Sequence, residues 1–220
     1  MKTMISKLFK VAAICFLFIT GLTLQAQEAK TLLDEVSNKV KSYENISISF
    51  NYTLNNTKED VKQNTRGDIT MEGEKYILNM LGTTRIFNGT MVYTIIPEDE
   101  EVTISEYNQH DDKGISASKL LTFYEDGYTY KMDVLQKTKG RRIQFVKLNP
   151  IDSNAEITDI ILGIDLQTKH VYKLIQTDSY GTQYTITVST FKTNQELSVN
   201  LFSFDEAKYR EEGYYINKLD

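Results

Sequence analysis

From Asn45 to Leu54 polar and apolar side chains alternate without interruption, with Asn45, Ser47, Ser49, Asn51 and Thr53 set against Ile46, Ile48, Phe50, Tyr52 and Leu54. Successive side chains of an extended chain point to opposite faces, so this run is a strand with one apolar face. Further runs follow it, punctuated at Asn55-Asn56, Gly73, Gly82, Asn88-Gly89, Pro97 to Glu101, Asp126-Gly127, Lys139-Gly140, Gln167-Thr168 and Tyr180-Gly181. That spacing is the signature of antiparallel sheet, and it predicts about ten strands. Fourteen tyrosines, eleven glycines, two prolines and no tryptophan agree with a chain rich in strands and tight turns.

Helical spacing occurs in three places. Leu32, Leu33, Val36 and Val40 recur along one face of the segment from Ala29 to Tyr43, with Lys30, Asp34, Glu35, Lys39 and Lys41 elsewhere on the wheel. Leu120, Leu121, Phe123 and Tyr124 mark a shorter helix from Ser116 to Tyr124, and Asp205 to Arg210 reads as one terminal turn. No repeat, linker or composition break divides the chain after Glu28, so residues 27–220 are expected to form one domain. A single antiparallel sheet of this length must curl. The expected architecture is therefore mainly β with an α lid, an incomplete, half-open antiparallel barrel covered by helices, with Leu32, Val36, Leu120 and Leu121 on the underside of the lid.

The first residues carry Lys2, Lys7 and Lys10, then an uncharged run from Val11 to Leu24, and the short site Leu24-Gln25-Ala26. This is the pattern of a secretory signal peptide over residues 1–26, too short in its apolar run for the roughly 20 residues that span a bilayer. Export to the periplasm is the expected outcome. Cys15, the only cysteine, lies inside that run behind Ile14, where a lipoprotein signal needs a small residue. The mature chain then has no thiol, which leaves no disulfide, thiolate nucleophile or cysteine-held metal. Cleavage also removes three lysines and no acid, leaving 22 basic against 30 acidic residues. A surface with net charge of about −8 disfavours nucleic acid and anionic lipid headgroups as partners.

No catalytic constellation stands out, and the chain is expected not to be an enzyme. His110 and His170 fall in or beside predicted turns without metal-binding spacing, and are read as solvated. His110-Asp111-Asp112 and Glu98-Asp99-Glu100-Glu101 are read as exposed polar loops, and Arg141-Arg142 as a pair that blunts a strand edge. The chain has no Gly-x-Ser-x-Gly, P-loop or dinucleotide fingerprint, so neither a catalytic residue, a metal nor a cofactor is expected.

The order of the strands carries a resemblance. Gly67-Asp68-Ile69-Thr70-Met71 is followed by Tyr76-Ile77-Leu78-Asn79-Met80, then by Asn88-Gly89-Thr90-Met91-Val92-Tyr93-Thr94-Ile95-Ile96-Pro97 and the alternating Val102-Thr103-Ile104. Ser118-Lys119-Leu120-Leu121, Ile164-Asp165, Leu174 to Asp178 before Gly181, and Phe202-Ser203-Phe204 continue the series. Collinear over roughly Leu32 to Asn217, the chain resembles the LolA family of periplasmic lipoprotein carriers. That resemblance implies a monomer that receives acylated lipoproteins from an inner-membrane lipoprotein-releasing ABC transporter and passes them to an outer-membrane acceptor where one exists. The family's Arg beside a Pro, which holds the lid shut, is replaced by Met71-Glu72-Gly73-Glu74-Lys75, and its Asp and Trp around the hairpin by Asn88 and Tyr93.

A carrier of acyl chains needs an apolar wall, each buried CH₂ contributing about 0.8 kcal/mol. With that function implied, Phe50, Tyr52, Tyr76, Leu78, Tyr93, Ile95 and Met132 are the expected lining. Periodicity by itself leaves open whether this face meets a ligand or the protein's own side chains. It also leaves open whether Leu78 and Met80, or Ile77 and Leu81, point inward. The same fold serving another amphiphile, such as a glycolipid or envelope intermediate, is the alternative reading.

Overall fold

The computed structural model describes residues 26–107, 121–138 and 140–219. A helix over residues 26–41, α1, precedes twelve strands. They are β1 (Asn45–Asn56), β2 (Val61–Glu72), β3 (Lys75–Met80), β4 (Thr83–Phe87), β5 (Met91–Ile96), β6 (Glu101–Glu106), β7 (Tyr128–Thr138), β8 (Arg141–Pro150), β9 (Ile157–Asp165), β10 (Val171–Asp178), β11 (Gln183–Thr193) and β12 (Tyr215–Leu219). A short helix, α2 (Glu206–Glu211), precedes β12. Single 3-10 turns occupy Pro97–Asp99 and Phe123–Glu125.

All twelve strands form one sheet in the order β12-β6-β5-β4-β3-β2-β1-β11-β10-β9-β8-β7. Every neighbouring pair is antiparallel except β12 and β6. The two ends of this order, β12 and β7, are not paired with each other, so the sheet stays open. Among the described residues the strands number twelve rather than about ten because β3, β4, β5 and β12 are only five or six residues long. Runs that short carry little periodicity.

The α1 stripe is the one its spacing dictates. Ala29, Leu32, Leu33 and Val36 are all at most 6% exposed and pack on Val146, Leu148, Ile160, Leu162 and Ile164 of β8 and β9. Each buried Leu or Val contributes roughly 1.5–3 kcal/mol, which is what fixes the helix to the sheet. The helix ends where the Ser42 hydroxyl donates to the Lys39 carbonyl, 2.7 Å away, and the amide of Tyr43 donates to the Val40 carbonyl at 3.2 Å. Of the expected second helix, the described part is Leu121 to Tyr124, a turn leading into the Phe123–Glu125 3-10 turn. Leu120 and the rest of that segment, with His110, lie outside the described residues. The expected terminal turn is α2, with Asp205 as its N-cap accepting from the Lys208 amide at 3.1 Å.

Register settles which side chains share a face. Met71 of β2 pairs with Tyr76 and Ile69 with Leu78, so Tyr76, Leu78 and Met80 lie on the α1 side, while Ile77 pairs with Ile86 on the other. Leu81 lies in the β3–β4 turn, outside the paired residues, and is exposed. In β11 one extra residue lies between the partners of Ser49 and Phe50, since Ser49 faces Thr190 and Phe50 faces Val188. This bulge brings Phe191 and then Val188 and Ile186 onto the α1 side despite their odd and even spacing.

The opposite face of β3 to β6 is covered by the chain's own C-terminal segment. Ile86, Ile95, Val102 and Ile104 are buried there against Phe204, Tyr209 and Tyr214, with Ile216 of β12 beside Val102 in the same sheet. Tyr93 stacks on Phe204 at 4.6 Å between centroids, and Phe204 on Tyr209 at 5.1 Å.

Candidate functional site

The face beneath α1 collects most of the expected lining. Phe50, Tyr52, Tyr76 and Leu78 pack in one apolar cluster with Ile46, Ile48, Ile69, Met71 and Leu121. Met132 joins the neighbouring cluster that holds Leu32 and Val36. Tyr93 and Ile95 do not belong to it. Both lie on the opposite face, under the C-terminal segment. The stretch Met91 to Ile96 is apolar on both faces, Val92 pointing to the α1 side and Ile95 away from it, so alternation in this strand gave no direction.

Of the two alternatives for β3, the structure takes Leu78 and Met80, and sequence reasoning missed Leu174, Ile186 and Val188, which share the α1-side face. Only pairing reveals them, because Tyr52 faces Ile186 and Ile186 faces Leu174. The face is graded along the strands. Ile46, Ile48 and Phe50 are buried, whereas Tyr52, Leu54, Leu78, Met80, Leu174, Ile186 and Val188 are only half-buried. A side chain sealed in a dry core is close to wholly buried. Burial also pushes the Tyr52 phenol above its ordinary pKa, keeping it neutral within this apolar strip.

Gly67 shapes the middle of the strip. It lies between Phe50 of β1 and Met80 of β3, and a Cβ there would come within 2.6 Å of Phe50 Cζ and 2.8 Å of the Asn79 carbonyl oxygen. With no side chain on Gly67, the Phe50 ring lies flat across β2. At the end of the strands near the β2–β3 turn, a cleft of about 440 Å³ opens between Val40, Tyr43, Ile46, Met71, Leu121 and Glu125. A second, of about 480 Å³, lies at the other end of α1 beside Leu32, Met132, Gln144, Leu166 and Lys169.

Polar contacts hold α1 from three sides. Glu125 accepts from the Ser37 hydroxyl and from Lys41, and these two partners keep its carboxyl below the usual carboxylate range, Lys41 having the larger effect. Tyr130 in turn donates to the carbonyls of Tyr124 and Glu125, at 2.6 and 3.1 Å, fixing that turn to β7. Glu35 pairs with Lys169 in the β9–β10 turn. His170 is not solvated as its place in a turn implied. It stacks on Phe191, 3.9 Å between centroids, and its Nε2 lies 2.8 Å from the Tyr43 hydroxyl. Burial, followed by the nearby charge of Lys39, lowers its pKa. Arg141 likewise blunts no edge, because β8 is paired on both sides; its guanidinium lies over Tyr172, 4.7 Å from the ring centroid. Met71 to Lys75, which stands where the family Arg and Pro are expected, forms the β2–β3 hairpin with Gly73 at φ 57°.

Among the described residues no three His, Cys, Asp or Glu side chains are grouped to hold a metal ion. No described helix is long and apolar enough to cross a membrane.

Comparison with known proteins accords with this architecture. An uncharacterized conserved protein from Thermus thermophilus superposes with a TM-score of 0.57 over 87% of this chain and 99% of its own, at 7% identity, a likeness of fold alone. LprF from Mycobacterium bovis gives a TM-score of 0.48 at 13% identity, covering 79% of this chain and 97% of its own. A LolA superfamily protein from Nitrosomonas europaea gives 0.42 at 11% identity, over 80% and 97%. No curated protein matches by sequence. The family model for the outer membrane lipoprotein carrier protein LolA matches residues 41–205, three quarters of the sequence and nearly all of the sheet. This chain belongs to the LolA family.

Proposed function

We propose that the protein is an exported carrier that holds the acyl chains of lipoproteins against the α1-side face of its open sheet and shuttles them from the inner to the outer membrane. The observation that carries this reading is the strip of half-buried apolar side chains, Tyr52, Leu78, Met80, Leu174, Ile186 and Val188, continuous with a buried cluster under a helix. Alkyl chains laid on such a strip exchange one apolar contact for another, so transfer from a membrane is close to neutral in free energy. No catalytic group is required. The lid consists of Leu32 and Val36 of α1 with Leu121, and Phe50, Tyr52, Tyr76, Leu78 and Met132 form the wall.

In this reading residues 1–26 are removed on export, residues 27–220 form the periplasmic domain, an inner-membrane ABC transporter loads it, and an acceptor at the outer membrane unloads it. The acidic balance of the mature chain supports a shuttle that does not adhere to anionic headgroups. Protein purified from its native periplasm and extracted for mass spectrometry tests the assignment. Diacylated or triacylated polypeptide is expected; free glycolipid or phospholipid alone in the extract would transfer the site to another amphiphile.

A further inference from the structure

Five of the connections between strands lie at one end of the sheet: residues 57–60, 81–82, 97–100, 151–156 and 179–182. Three of them present a large apolar side chain to solvent, Leu81 at 46% exposure, Ile151 at 68% and Tyr180 at 76%. Val61, the first residue of β2 beyond the 57–60 turn, adds a fourth at 47%. At the opposite end, the described turns at Gly73-Glu74, Asn88 to Thr90 and Leu166 to His170 carry no exposed large apolar side chain, and the exposed ones there are Leu219 at the end of β12, at 52%, and Val199 in the loop leaving β11, at 96%.

Leu81 stands out further. Met80 pairs with Thr83, and the two residues between them both have positive φ, 54° for Leu81 and 76° for Gly82. Such two-residue turns favour Asn or Asp before the Gly, because a bulky side chain is disfavoured in the left-handed region. Here a leucine occupies that position and is held out in water, at a cost to the fold that burial does not offset.

We propose that this end of the sheet is a docking rim for a lipid bilayer, with Leu81, Ile151, Tyr180 and Val61 entering the interfacial zone. The residues sit one on each of four separate hairpins, which suits an extended surface better than a peptide or a folded partner's knob, and Leu81 also borders a cleft of about 500 Å³ with Arg66, Gly67 and Met80. Tyrosine is a favoured residue at the membrane–water boundary. The half-buried apolar strip also runs out toward the same end through Tyr52, Leu54 and Ile186. Seated on a bilayer by this rim, the protein has its acyl-binding face opening toward the membrane. In that respect the inference rests on the carrier reading. The adhesion is driven by apolar area, so it is insensitive to salt and, with an acidic protein, weaker on anionic lipid.

The test is flotation of the mature chain with vesicles of phosphatidylcholine and phosphatidylethanolamine. The parent is expected to co-float, with partitioning changed less than about twofold between low and high salt. The triple variant Leu81→Asn, Ile151→Ser, Tyr180→Ser should partition at least about tenfold less. Asn accommodates the left-handed turn, so this variant keeps the fold. Val199→Ser, an exposed valine in the loop after β11, should float like the parent. A parent that stays unbound, or a triple variant that floats like it, overturns the rim. Uptake of a fluorescent fatty acid in vesicle-free buffer separates the two proposals. Retention of uptake by the triple variant supports a rim distinct from the acyl site, and its loss there overturns that separation. Failure of the parent to take up the probe would sink the carrier reading while leaving vesicle binding as evidence for the rim.

Discussion

The hydroxyl of Tyr43 lies 2.8 Å from Nε2 of His170, joining the end of α1 to the β9–β10 turn across 127 residues of sequence. The imidazole also stacks on Phe191, and burial holds its pKa below the ordinary histidine value. The unfolded chain then binds a proton that the native state resists, so stability rises with pH through the window just below about 6.5 and is lost as pH falls through it. Thermal midpoints should drop between about pH 7.5 and about pH 5.5, and His170→Gln should flatten that slope. A parent whose midpoint is level across this range would contradict the assignment.

The Glu125 contacts with Lys41 and Ser37 act in a lower window. A carboxyl whose pKa is depressed adds stability above the ordinary carboxylate range and loses it as pH falls further. Both charged partners are substantially exposed, 37% for Glu125 and 56% for Lys41, so Glu125→Gln should cost only about 0.5–1 kcal/mol. Its clearer mark should be faster amide hydrogen exchange in α1, more so at low salt where the parent's ion pair is strongest. Unchanged exchange would remove this contact as a fastening of the helix.

Gly67→Ala places a methyl 2.6 Å from Phe50 Cζ and 2.8 Å from a backbone oxygen that has little freedom to move. The Phe50 ring must shift, and a loss of about 1–3 kcal/mol is expected in denaturant titration. Since Phe50 also forms part of the proposed wall, affinity for a fluorescent fatty acid should fall with it. A variant as stable as the parent would show that the ring does not lie across β2.

Phe204→Ala probes the other face. Loss of its stacking with Tyr93 and Tyr209 should cost about 2 kcal/mol and loosen the C-terminal segment. Fatty-acid affinity should stay within about twofold, because effects at separate clusters are close to independent. Abolished uptake would move the acyl site to the side of Tyr93 and Ile95.

Much of this fold is legible in the chain. The strand from Asn45, the amphipathic α1 and the Asp205 cap follow from local rules, since each pattern has one face to bury and one signal to stop it. The open sheet follows from their number. What local pattern does not encode is direction. Met91 to Ile96 carries apolar residues on both faces because the C-terminal segment returns to cover one of them, a contact over 100 residues away in sequence. The same reason hid His170, whose stacking partner Phe191 reaches it only through the β11 bulge. Leu174 and Ile186 escaped notice, and the choice between Met80 and Ile77 stayed open, because their face is set by cross-strand register.

Photocrosslinking with a palmitate analogue bearing a diazirine near its methyl end, followed by peptide mass spectrometry, bears most directly on the account. Label should appear on the peptides carrying Phe50 and Tyr52, Leu78 and Met80, and Ile186 and Val188, and be competed away by unlabelled acylated peptide. Label confined to the peptides of Phe204 and Tyr209, or none above background, would contradict an acyl-binding face beneath α1.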